Sequence, residues 1–189
     1  MSGSSPTEGA YQVENTAVWN VTRVTFLVSS LLFLVTIGLG FLNIMITGGL
    51  PRWQVLTHLH SGTVGWVLLS YIGIAIWLYT GERPVSASYG RLLTWLVGLA
   101  IIAFVGLIAS FAYGYSQGSA DALLPLGIFG PFAAAMIWAT AIFALTQLRR
   151  LPVVTTPHLL VAVGLLVVAI GVTLGAWVGL DNAFDSLLP

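Results

Sequence analysis

Five apolar runs alternate with short polar breaks along this chain of 189 residues. The hydrocarbon core of a bilayer takes about 20 apolar residues per helix, which places the spans at roughly 22–46, 55–79, 91–115, 122–147 and 156–180. The breaks hold residues that stop and start helices: TGGLPRW after the first run, TGERPVSASYGR after the second, SQGSAD after the third and RRLPVVTTP before the fifth. Within lipid a helix satisfies its backbone polar groups inside one segment. The pattern therefore predicts an all-α fold, an integral membrane bundle of five transmembrane helices. Residues 1–20, MSGSSPTEGAYQVENTAVWN, read as a flexible polar tail, 21–181 as the membrane domain and 182–189 as a short outer tail. The opening stretch has neither a basic start nor an early apolar run, so no cleaved signal peptide is expected.

Composition agrees with that pattern. With 58% hydrophobic and 6% charged residues, the chain cannot cover itself with charge as a water-soluble domain does, and its first partner is the lipid bilayer. It has no cysteine, which removes disulfides, thiolate iron ligands and iron–sulfur clusters and leaves histidine and methionine to hold any metal. Zero net charge and six scattered arginines offer no basic patch, so no nucleic-acid partner is expected.

Arg23, Arg83, Arg91, Arg149 and Arg150 fall on one side of the five-span topology, and Arg52 on the other with Asp121, Asp181 and Asp185. The positive-inside rule then puts the N-terminus inside and the C-terminus outside, as a multi-pass protein of the cell membrane. Trp19, Trp53, Trp77, Trp95 and Trp177 lie near span ends and read as an interfacial belt. None of the spans carries Asp, Glu, Lys or Arg at depth, which argues against an ion pump or a proton-coupled transporter. Gly164, Gly171, Gly175 and Gly179 line one face of the fifth span. That stripe suits close helix packing, within the protomer or against a second copy or a larger membrane complex.

The stretch WQVLTHLHSGTVGW sets His58 and His60 near the start of the second span. Successive helical residues turn by about 100°, so these rings point about 200° apart and cannot chelate one ion from a regular helix. On the face of His58 the next turns bring Gly62 and Gly65, a flat patch where a planar group could lie. On the face of His60 they bring Val64, Val67 and Tyr71, a bulky wall. The other reading is interfacial, with the rings hydrated at the membrane surface. His158, in TTPHLL, sits where Thr155 or Thr156 caps the fifth helix and Pro157 fits its first turn, on the membrane side opposite the pair. It is a cap residue or an inner-side metal ligand. Met45, at the outer end of the first span, is filler or a thioether ligand.

The segment LTHLHSGTVGWVLLSYIGIAIWLY resembles the His-x-His helix of the catalytic subunit of haem–copper oxidases and nitric oxide reductases. The resemblance covers about 25 of 189 residues. It implies that His58 takes the high-spin haem and His60 the low-spin haem, from opposite faces of one helix near the outer side. That superfamily builds its copper site from three further histidines, whereas this chain has one, His158. The implication is therefore no copper site from this chain alone and no complete oxygen reductase. A weaker likeness to haem A synthase lacks that family's histidine in the fourth helix. The expected function is a b-type cytochrome-like protein that binds haem b for electron transfer or gas binding. Its site would comprise His58, His60, Gly62, Gly65 and Arg52, with Met45 or a symmetry-related histidine completing the iron. The alternative is a haemless small subunit of a larger respiratory or other membrane complex.

Overall fold

The computed structural model describes residues 6–46, 49–81, 85–117 and 124–184, with side chains described over 16–46, 49–81, 85–113 and 124–178. Five helices long and apolar enough to cross a membrane come in succession: α1 (Pro6–Met45), α2 (Arg52–Thr80), α3 (Ala87–Gln117), α4 (Leu124–Leu148) and α5 (Thr156–Phe184). There is no strand among the described residues. The protein is thus an all-α, multi-pass membrane bundle. Its first helix begins at Pro6, inside the segment expected as a tail, and its apolar part starts at Thr16. Proline suits a first helical turn because its missing N–H is unpaired there anyway. Arg83, Asp121 and Asp185, three of the charges behind the expected orientation, lie outside the residues whose side chains are described, as does Asp181.

Winding changes inside α2. Arg52–His60 is α-helical, Ser61–Leu68 is a π-helix and Leu69–Thr80 is α-helical again. A π turn holds about one residue more than an α turn, and the contact with α1 shows what this extra residue does. His58, Ser61, Gly62, Gly65, Ser70 and Gly73 all face α1, and the step from Gly65 to Ser70 is five residues where an α-helix would present the fourth. The stripe they meet on α1 is Thr25, Ser29, Leu32, Thr36 and Gly40. A Cβ on Gly73 would lie 3.2 Å from Thr25, and one on Gly62 would lie 3.1 Å from Thr36. The Ser70 hydroxyl donates to Ser29 Oγ at 2.9 Å, while Thr36 Oγ1 and Ser61 Oγ lie 2.8 Å apart. Small residues let two backbones approach in lipid, and hydroxyls then bond across the seam.

The remaining helices gather on the other side of α2. Leu69, Ile72 and Ile76 of α2, Phe104 of α3 and Ile137 of α4 are fully buried in the core. Gly106 of α3 admits the ring of Phe129 from α4. Hydrogen bonds hold α5 in place: Tyr71 Oη donates to the Leu160 and Val161 carbonyls, Tyr79 Oη to the His158 carbonyl at 2.5 Å, and Trp138 Nε1 to Thr173 Oγ1 at 2.8 Å. Gly164 of the expected stripe is taken up inside the protomer, under the Tyr71 hydroxyl, whereas Gly171 and Gly175 have open space where a Cβ would be. The side-chain position of Gly179 lies outside the described residues.

The flanking helices are the least enclosed, with 11% of the most apolar window of α1 buried against 50% for α4. Their apolar surface suits contact with lipid. Trp19, Trp77, Trp95 and Trp177 are exposed near helix ends, as a belt requires.

Candidate functional site

His58 and His60 stand in the last α turn of α2 before the π segment and point to different neighbours. Nδ1 of His58 lies 2.9 Å from the Thr36 carbonyl of α1, and Nδ1 of His60 lies 2.8 Å from the Leu56 carbonyl of its own helix. A carbonyl only accepts, so in each ring the proton sits on Nδ1, and the neutral imidazole keeps its lone pair on Nε2. This backbone-oriented tautomer is the one that metal-ligating histidines commonly adopt.

The surroundings of the two rings differ. His58 packs into α1, where a Cβ on Gly40 would fall 3.0 Å from its Cε1 and 3.7 Å from Nε2. The flat patch expected beneath it from Gly62 and Gly65 is not open. Thr36 fills the space over Gly62, and Leu32 and Ile108 fill that over Gly65, each within 2.9–3.1 Å of a Cβ built there. These glycines serve helix packing because the face they share with His58 is the seam with α1. Ser61 Oγ, 3.0 Å from the His58 carbonyl, and Thr36 Oγ1, 3.0 Å from the Leu32 carbonyl, tie the ring to that seam.

His60 faces inward to α3. Its ring stacks on Phe111 with centroids 3.7 Å apart and planes inclined by 25°. Beside it is a cavity of about 250 Å³ bounded by His60 and Val64 of α2, Leu107 and Phe111 of α3, Leu126 and Gly130 of α4 and the Val172–Val178 flank of α5. A Cβ on Gly130 or Gly175 would meet nothing within 4 Å. The glycines that leave a flat wall open are therefore on α4 and α5, across the cavity from the histidine. Val64 is part of the wall expected around His60, but Val67 is half exposed and Tyr71 reaches α5 instead.

The residues at this cavity fit the chemistry of haem: a histidine with its lone pair on Nε2, an aromatic ring stacked on it, apolar walls and two glycines. At about 250 Å³ the cavity is smaller than the ~300–1,000 Å³ of pockets that enclose drug-sized ligands. A macrocycle held by His60 would share its surface with lipid or a neighbour along the open flank of α5.

The other expected residues do not join this cavity. Arg52 is exposed at the first turn of α2, about 12 Å of helix rise from His60. Met45 is two-thirds exposed, about 7 Å along α1 from Gly40 and rotated about 140° from the side that meets His58. His158 lies at the other end of the bundle, beside Tyr79. Among the described residues no three His, Asp or Glu side chains gather in one place.

Phe111, Gly130 and the cavity role of Gly175 were not legible in the sequence. Phe111 sits in the run SFAYGY, where nothing sets it apart from the aromatics beside it, and Gly175 reads first as one of a packing stripe. The pair Gly130–Pro131, a break in the hydrogen-bond ladder inside α4, was the available signal. No protein-family model matches the chain, nor does any curated protein or solved structure.

Proposed function

We propose that the protein is a b-type haem protein of the cell membrane, with His60 as an axial ligand in the cavity shared by α2, α3, α4 and α5. The observation that carries this reading is His60 itself, a histidine fixed through Nδ1 on a backbone carbonyl at an apolar cavity with open glycine walls. His58 is the positioning residue of the pair: its bond to the Thr36 carbonyl clamps α2 to α1 and sets the turn from which His60 projects. When bound, haem iron supplies one-electron exchange and a coordination position for a small gas. The protein's part is to provide the ligand nitrogen, exclude water with Val64, Leu107, Leu126 and Val172, and hold the imidazole plane against Phe111.

A second reading, a haemless subunit of a larger membrane complex, is favoured by the exposed flanks of α1 and α5. Expression with ample haem separates the two. On the haem reading, purified wild-type protein shows a Soret band, His60→Ala loses it, His58→Ala keeps it at reduced protein yield and His158→Ala leaves it unchanged. A well-folded wild-type protein without colour or haem by mass spectrometry overturns the haem reading in favour of the haemless subunit.

A further inference from the structure

The three histidines carry two tautomers, and the difference gives the far end of the bundle a site of its own. At His158 the backbone N–H of Thr155 points at Nδ1 from 3.3 Å, and the Thr155 hydroxyl lies 2.7 Å from the same atom. An N–H only donates, so Nδ1 holds the lone pair and the proton of the neutral ring sits on Nε2. Thr155 directly precedes α5 and His158 is the third residue of that helix, so the imidazole takes the place of the glutamate in a capping box. His58 and His60 offer a lone pair; His158 offers an N–H.

That N–H has no partner among the described residues, and the ring lines a cavity of about 430 Å³ with Leu78, Tyr79, Leu151, Pro152, Val153 and Thr155. The volume falls within the ~300–1,000 Å³ of small-molecule sites. The Tyr79 ring lies 5.4 Å from the imidazole and its hydroxyl is committed to the His158 carbonyl. Among the described residues that line it there is no acid, lysine or arginine. A phosphate or carboxylate would therefore bring an uncompensated charge, whereas a neutral ligand with one acceptor atom on an apolar body matches one N–H in an apolar shell. Tyr79 is in the last turn of α2 and His158 in the first turn of α5, so the cavity lies at the level of these helix ends, where spans of this length emerge from hydrocarbon and an amphipathic ligand can enter from the membrane.

We propose that this cavity binds the headgroup of a membrane quinone, one ring carbonyl accepting the hydrogen bond of His158 Nε2–H and the ring lying among Leu78, Leu151 and Val153. The site is independent of the haem reading, since His60 and Tyr79 lie toward opposite ends of α2, with the whole π segment between them.

The test uses full-length protein in zwitterionic nanodiscs and equilibrium dialysis with a decyl-benzoquinone, against decylbenzene, which has the chain and a ring but no acceptor. The quinone should bind saturably at one per chain, and decylbenzene at least tenfold more weakly. His158→Glu still accepts from the Thr155 N–H but presents no donor, and should bind the quinone about tenfold more weakly. His158→Gln caps with its oxygen and keeps an N–H, and should stay within about threefold of wild type. Val153→Trp, at an exposed position on the rim, should abolish binding. Equal binding of quinone and decylbenzene to the wild type overturns the proposal whether or not any variant folds, as does unchanged affinity in His158→Glu.

Discussion

Gly65→Ala should be less stable than Gly175→Ala, although both exchange a helical glycine for the best helix former. At Gly65 the new methyl would fall 2.9 Å from Ile108 Cδ1 and from Leu32 Cδ1, and 3.1 Å from Leu32 Cβ. Carbon atoms prefer about 3.5–4.0 Å. The two Cδ1 tips can turn away, but Leu32 Cβ is fixed to the backbone of α1, so relief requires the helices to part. Overpacking of this kind costs about 1–3 kcal/mol, against about 1 kcal/mol gained in helix propensity, for a net loss of about 0–2 kcal/mol. At Gly175 the methyl meets nothing within 4 Å, so only the gain of about 1 kcal/mol remains. Thermal unfolding of the two variants in one detergent should show Gly175→Ala above wild type and Gly65→Ala level with or below it. A chain of this length shifts by about 2–4 °C per kcal/mol. On the proposed haem reading, Gly175→Ala also narrows the His60 cavity, so haem content per folded protein should fall as Tm rises, a pairing that a purely structural glycine would not give. A Gly65→Ala variant at least as stable as Gly175→Ala would refute the close approach of α1 and α2.

Deleting the half-exposed Val67 should be tolerated, with a monodisperse size-exclusion profile, because it removes the extra residue of the π segment and leaves both flanking α segments in register. Deleting Ile74 should cause aggregation, since it turns Tyr79 by about 100° away from the His158 carbonyl. Trp138→Phe loses the bond to Thr173 Oγ1 and should destabilise the protein by about 0.5–1.5 kcal/mol, read as a Tm lower by about 1–6 °C in the same detergent as wild type. With the positive-inside rule as its only support, the orientation predicts that a reporter fused after Pro189 is active outside the cytoplasm and silent within it.

Hydrophobic run length alone made the five helices legible, because lipid allows few other arrangements of a backbone. The divergence of His58 and His60 was legible too, since both sit in regular α-helix and 100° per residue applies to them. The next two turns of α2 were not. Gly62 and Gly65 do share the face of His58, but Thr36 and Leu32 of α1 and Ile108 of α3 fill the space over them, and a single segment does not show which helix will lie against its face. No composition rule for single segments foretells a change of winding, because it answers to the spacing of small residues on the partner helix. The capping position of His158 was legible, since Thr155 and Pro157 are local signals. Its Nε2–H required the geometry of the Thr155 N–H, which only the fold supplies.

The hydroxyls of α1 bear on the order in which this protein can be made. Thr25 bonds the Val21 carbonyl, Ser29 the Phe26 carbonyl and Thr36 the Leu32 carbonyl, all within α1 itself. A helix leaving the translocation machinery into lipid with unmet hydroxyls would have to wait for a partner or hold water. At these three positions α1 can enter the bilayer first and remain there with every one of those protons already placed. When α2 arrives, Ser70 and Ser61 are its contribution to bonds whose other half is standing in position. The seam can then close late, helix by helix in the order of synthesis, and without Thr25, Ser29 or Thr36 exposing a bare donor to hydrocarbon.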